Sequence, residues 1–217
     1  MAEPSTMKLL IIGGTGKTGQ ELIKQALEKG HRVTALVRKP GKIKYTHPNL
    51  HIVQGDVLDF TSVEAAVKGQ DAVLSALGHK KFFIHTSILS EGTTNIIKAM
   101  ELQQVKRFIC ITTLGINDSR FKLGLYYTLF VIPFIVYFYF RDKAKQEKLI
   151  RGSNLDWTIV RPGQLTDGKL TEKYKLGENT GHYILTKMIS RANVAHVMLS
   201  QLHDSTYLYK TPGITNF

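Results

Sequence analysis

Residues 8–19 read Lys8-Leu9-Leu10-Ile11-Ile12-Gly13-Gly14-Thr15-Gly16-Lys17-Thr18-Gly19, and they decide the fold. Four consecutive apolar residues, Leu9 to Ile12, have the pattern of a strand buried on both faces. They run directly into a glycine-rich turn, and the amphipathic run ELIKQALEK follows. Strand, glycine turn and helix in succession is the setting that a dinucleotide-phosphate fingerprint requires. Here the glycines at 13, 16 and 19 are spaced GxxGxxG. One glycine makes the turn, another lets the backbone approach a pyrophosphate, and the third lets helix pack on strand. Gly13, Thr15, Gly16, Lys17 and Thr18 are therefore candidate phosphate-binding residues, with the helix N-terminus offering free amides and a partial positive charge. A P-loop needs four residues between its glycine and Gly-Lys-[Ser/Thr], so it is excluded. A glycine-rich turn without a ligand is the plain alternative.

Working outward, 217 residues suit one domain with a substantial core, here residues 7–217, behind a disordered leader of residues 1–6. Apolar content of 43% and charged content of 21% are ordinary for a globular chain. The formal net charge of +12 is not, and it suits anionic partners. The positive charge is spread along the chain without a recognition motif, which speaks against nucleic acid. A single cysteine, Cys110, excludes an intrachain disulfide and points to a reducing cytoplasm. The eight histidines have no zinc-like spacing, so no metal site is expected.

Arg32–Val37 reads as a second strand, and its end distinguishes the two nicotinamide dinucleotides. An acid there would take the ribose hydroxyls, whereas a base accommodates a 2′-phosphate. Arg38 stands at that place with Lys39 and Lys42 behind it, and no acid occurs from Arg32 to Leu50. NADP(H) is the expected cofactor; a solvated basic loop is the alternative. Residues 50–54 form a third strand, ending in Asp56 and Val57 beside the expected adenine position. Asp56 could equally be a helix cap. A helix over 62–68, a strand over 71–77 ending at Leu77-Gly78, a helix over 87–103 and a strand over 107–112 complete an alternating pattern. That pattern predicts an α/β, Rossmann-like doubly wound parallel sheet, with ligands beyond the carboxyl ends of its strands.

Residues 123–140, LGLYYTLFVIPFIVYFYF, contain no charge and reach the length of a membrane-span candidate. Pro133 lies mid-run, tyrosines crowd it, and a further strand of the same sheet must follow, which argues against a span. A short buried helix, an apolar wall for substrate, an oligomer contact or a peripheral membrane contact are the expectations. A helix over 141–151 precedes a strand over 156–160, and Arg161-Pro162-Gly163 is expected to turn. Residues 164–181 read as a loop with a hairpin, 191–203 as a helix carrying His196 as a packed or surface residue rather than a ligand, and 206–210 as a seventh strand.

These residues together resemble the atypical short-chain dehydrogenases of the NmrA-like NAD(P)-binding group, nearest to its biliverdin-IXβ reductase, or flavin reductase, members. GGTGKTG is similar to that group's GATGxTG, and ALVRKPGK to its VLVR segment followed by a second base. QGDVLD, GQDAVLSALG, SEGTTNIIKAM and LDWTIVRPGQLTDG follow in the expected order, over residues 7–203. The resemblance implies NADPH lying extended across the sheet edge, with Thr112 lining that edge and Pro162, Gly163 and Gln164 near the nicotinamide. Orthodox short-chain dehydrogenases use a serine, a tyrosine that protonates the carbonyl oxygen, and a lysine four residues later. Thr113 falls at the serine place, and Tyr139 and Lys143 have the four-residue offset. The flavin-reductase-like members lack the tyrosine and pass hydride to a stacked conjugated acceptor, with water supplying the proton. Residues 114–140, over the expected substrate site, depart from the group's pattern.

Two functional classes remain. One is an NADPH-dependent reductase of a planar small molecule, such as a flavin, a tetrapyrrole or a quinone, with Thr113 orienting it. The other is an NADP(H)-sensing regulatory or assembly protein without turnover.

Overall fold

The computed structural model describes residues 6–79 and 82–217; residues 1–5 of the expected leader lie outside them. The expected alternation is present: β1 (Lys8–Ile12), α1 (Lys17–Glu28), β2 (Arg32–Val37), β3 (Leu50–Gln54), α2 (Phe60–Val67), β4 (Ala72–Ser75), α3 (Ile88–Leu102) and β5 (Arg107–Ile111). Then follow α4 (Ile132–Phe134), α5 (Tyr137–Arg151), β6 (Asp156–Pro162), β7 (Leu165–Thr166), β8 (Lys175–Gly177), β9 (Ile189–Ser190), α6 (Arg191–Ser200) and β10 (Gly213–Thr215). The main sheet has the order β3-β2-β1-β4-β5-β6-β10-β8. It is parallel except where β8 meets β10.

Alternation along each strand sorts the core into two layers. Leu9 and Ile11 of β1, Val33 and Ala35 of β2, and Ile109 and Ile111 of β5 pack with α1 and α6 on one face. Leu10 and Ile12, Leu36, and Phe108 and Cys110 pack with α2, α3 and α5 on the other. Strand order reverses between β1 and β4, which makes their carboxyl ends the switch point where such sheets bind ligands.

Four expectations need correction. β6 continues through Arg161 and Pro162, so these residues end a strand rather than form a turn. Residues 164–181 hold no hairpin, because β7 pairs parallel with β9 and β8 pairs with β10. The seventh parallel strand is β10, not 206–210. Tyr209 takes φ 57°, which breaks an extended run, and Lys210 makes only an isolated bridge to Thr158. Finally, 123–140 is not a buried helix. It is a bridge from Gly124 to Leu185, a π-helical turn over Tyr127–Val131, then α4 with Pro133, then the start of α5. The carbonyl of Val131 accepts from both Ile135 and Val136, and Pro133 supplies no amide. The broken backbone leaves Leu125, Tyr126, Leu129, Phe130 and Phe134 exposed.

Candidate functional site

The three glycines of the first turn have separable roles. Gly13 takes φ +83°, and a Cβ on it would lie 2.5 Å from the Ala76 carbonyl oxygen. Only a hydrogen fits between the end of β1 and the end of β4. A Cβ on Gly19 would stand 2.2 Å from the Gly13 carbonyl oxygen, so this glycine sets the approach of α1 to the turn. Gly16 is different: it has φ −77°, and a Cβ there meets only the Gly13 oxygen, at 3.3 Å. It is the N-cap of α1, with no side-chain cap and no acid in the first turn. The first helical amide with a partner is Gln20, which donates to Gly16. The amides of Lys17, Thr18 and Gly19 therefore lie beside open space at Gly16. Free donors, a positive helix end and room for a ligand fit a diphosphate. Thr15 is half-buried, Thr18 buried and Lys17 exposed. The Lys17 ammonium is paired with Asp167, which also binds Arg191. The hydrogen bond from Lys17 and the charge of Arg191 hold the Asp167 carboxyl below its ordinary range.

Arg38 follows β2 and is exposed, as are Lys39 and Lys42. Among the described residues none forms an ion pair or side-chain hydrogen bond with these three. Lys42 borders a groove of about 530 Å³ beside α1, shared with Gln20, Ile43 and Tyr45. After β3, Asp56 accepts from the Leu58 amide at 3.1 Å and shapes the loop. The cap of α2 is Asp59, which accepts from Thr61 and Ser62. Val57 is buried against Gly92 of α3, where a Cβ would meet both its methyls at 2.9 Å.

At the other half of the edge, the structure gathers Leu77, Gly78, Thr112, Thr113, Pro162 and Gly163 with Tyr139 and Lys143. Lys143 is 1% exposed, and its ammonium donates to the carbonyls of Leu77 at 3.1 Å and Ile111 at 3.0 Å. It bolts the ends of β4 and β5 together. Tyr139 packs edge-on against His79 and Phe82, and its hydroxyl lies 3.4 Å from where a Gly78 Cβ would be. Thr113 donates its hydroxyl to the Leu114 carbonyl at 2.9 Å. Pro162 accepts from the Leu114 amide at 3.0 Å. A Cβ on Gly163 would stand 2.8 Å from the Lys187 carbonyl oxygen.

Sequence reasoning missed the polar row on α5 beside Lys143. Asp142 is buried and caps α3, accepting from the amides of Leu89 at 2.9 Å and Ser90 at 3.1 Å. Gln146 donates to Thr93 at 2.9 Å. Glu147 is fully buried and accepts from Thr112 at 2.6 Å, Asn117 at 2.8 Å and Arg161 at 2.8 and 2.6 Å. Arg161 also grips Asp118 with two bonds of 2.8 Å. Burial works against the Arg161 charge, yet hydrogen bonds to Glu147 and Asp118 raise its pKa above the ordinary guanidinium value. The same Arg161 bonds hold the Asp118 carboxyl far below the usual carboxylate range. Burial pushes the Cys110 thiol up to about 11. The available signal was spacing: 142, 143, 146 and 147 fall on one helix face and are all polar, where an apolar stripe would ordinarily pack.

Comparison with known proteins agrees with this geometry. Residues 13–205 match the NAD(P)H-binding family. An uncharacterised chloroplastic protein of Arabidopsis thaliana is 30% identical over 96% of this chain and 76% of its own length. The photosystem II assembly factor Ycf39 of Synechocystis is 26% identical over 93% of this chain, which spans 61% of that protein. The solved structure of ChuY, an anaerobilin reductase from Escherichia coli O157:H7, superposes with a TM-score of 0.80 at 23% identity, covering 96% of this chain and 97% of that one. With its glycine turn and switch point, and with residues 13–205 matched, the chain belongs to the NAD(P)H-binding family.

Proposed function

We propose that this chain is an NADPH-dependent reductase whose acceptor is a flat conjugated molecule: a flavin, a bilin-type tetrapyrrole or a quinone. The carrying observation is the state of Lys143, buried and donating to two main-chain carbonyls. In orthodox carbonyl reduction that ammonium serves to lower the pKa of the tyrosine; here it is spent on the sheet. When bound, the cofactor supplies hydride. Arg38, Lys39 and Lys42 bind its 2′-phosphate, and the Gly13–Gly19 turn its diphosphate. Thr113, half-buried at the end of β5, positions the acceptor, and Tyr139 walls the site with His79 and Phe82. Water supplies the proton. The likeness to an anaerobilin reductase supports an acceptor of the tetrapyrrole kind.

Likeness to a photosystem II assembly factor favours a second reading, an NADP(H)-sensing assembly protein without turnover. The discriminating experiment is NADPH oxidation, followed by absorbance, with a panel of flavins, quinones and bilins. Turnover with any of them supports the reductase. Tight NADPH binding with no turnover across the panel selects the sensor.

A further inference from the structure

The segments that follow the carboxyl ends of β4, β5 and β6 form one apolar face. The loop after β4 exposes Phe83 (73%) and Ile84. The segment after β5 exposes Leu125, Tyr126, Leu129, Phe130, Phe134 (75%) and Tyr137. The segment after β6 exposes Tyr183, Ile184, Leu185 (76%) and Met188. Contacts join the three. Leu125 donates its amide to Ile184 at 3.1 Å, Gly124 bridges Leu185, and the rings of His85 and Phe138 stand 5.8 Å apart. Exposed side chains of this size, clustered together, mark an interaction surface.

Charge identifies the occupant. Residues 82–90, 119–141 and 179–190 contain no aspartate or glutamate, while Arg120, Lys122, Arg141 and Lys187 lie within or beside the face. The Arg120 guanidinium sits 5.6 Å from the Phe121 ring and that of Arg141 5.9 Å from the Tyr137 ring, so cations are held alongside the aromatics. A two-fold pairing of copies would set this cationic rim against itself. No helix among the described residues is long and apolar enough to cross a membrane. Aromatic and aliphatic side chains with these four cations among them, and with the exposed acids Glu91, Asp118 and Glu178 only at the ends of the segments, match the headgroup layer of an anionic bilayer.

We infer that this face docks on an anionic lipid surface, with residues 125–137 and 183–188 entering the headgroup region. The inference goes beyond the proposed activity and does not require turnover. The test is sedimentation of the full chain with phosphatidylcholine vesicles, with and without phosphatidylserine. Binding to the anionic vesicles at least about tenfold tighter than to the neutral ones, and weakened by salt, is expected. Phe134→Glu with Ile184→Glu should abolish it while NADPH affinity and melting temperature hold. Arg120→Gln with Arg141→Gln should weaken it about tenfold or more, and decides the matter if the first variant misfolds. Equal binding to both vesicle types, or none to either, overturns the inference. So does a wild-type dimer in sedimentation velocity that either variant converts to monomer.

Discussion

Tyr139 and Lys143 lie one turn apart on α5, with the Lys143 ammonium 5.9 Å from the centre of the Tyr139 ring. The ammonium's hydrogen bonds go instead to Leu77 and Ile111. Tyr139→Phe should therefore change kcat for the best acceptor by only a few-fold, against the 10²–10⁴ expected on losing a general acid. Thr113→Ala should cost more, by loosening the acceptor's position. Steady-state NADPH oxidation measures both. A hundred-fold fall for Tyr139→Phe with cofactor affinity intact would move the chain to orthodox carbonyl reduction.

Lys143→Met should lower stability by about 1–3 kcal/mol. The buried Ile111 carbonyl and the half-buried Leu77 carbonyl lose their donor, at up to about 1–3 kcal/mol for the buried one and less for the other, and the relief of burying no ammonium offsets part of that. Urea unfolding followed by Trp157 fluorescence reads the change. A melting curve identical to wild type would show that the bolt between β4 and β5 contributes nothing.

Arg38→Asp should weaken NADPH far more than NADH. Charge-assisted bonds to a 2′-phosphate are worth about 1.5–3 kcal/mol, a factor of roughly ten to more than a hundred in affinity. Titration of both cofactors into both proteins is the measurement. Equal wild-type affinities would remove the argument from the end of β2.

Gly16→Val and Gly19→Ala should fail in different ways. At Gly16 the backbone is ordinary and the neighbouring space open, so the valine chain folds but blocks the diphosphate. At Gly19 a single methyl meets main chain at 2.2 Å, so folding itself suffers. Thermal unfolding and cofactor titration on both variants separate the roles. Unchanged NADPH affinity in Gly16→Val would mean that this turn holds no phosphate.

Stability should fall as pH drops below about 6.5. Burial, with His203 and Lys29 nearby, holds the His31 pKa below its ordinary 6.5, and burial does the same for His196 against the opposing charge of Glu172. The unfolded chain then takes up protons before the folded one does. These contributions are present above 6.5 and are lost as pH falls through the folded values. His31 also accepts from the Met7 amide at 3.2 Å. Melting temperatures between pH 7.5 and 5 should show the slope, and His31→Gln should flatten it.

The parallel sheet was legible because each element is local. Leu9–Ile12 runs into glycines, and RVTALV and the later strands alternate with helical stretches, which is enough to read a doubly wound parallel sheet. What was hidden depends on partners distant in the chain. Glu147 and Arg161 neutralise each other across α5 and β6; the polar face of α5 signals a buried network, but nothing local to it names Arg161 as the partner. β10 is three residues long, too short to read as a strand until β6 lies beside it. The aromatic run looked buried by composition, yet Pro133 and the π-helical turn keep it from packing as one helix.

The sheet edge changes character at the reversal between β1 and β4. On the β1–β2 side stand exposed cations, Arg38, Lys39 and Lys42; on the β4–β6 side stand Tyr139, Phe82 and the apolar loops. The joint between them is narrow, Gly13 against Ala76 and Lys17 against Asp167. The molecule is thus divided like a tool with a fixed handle and an exchangeable head. The exposed side chains of residues 83–84, 125–134 and 183–185 stand on the other side of that joint, so substitutions there leave the grip at the glycine turn untouched.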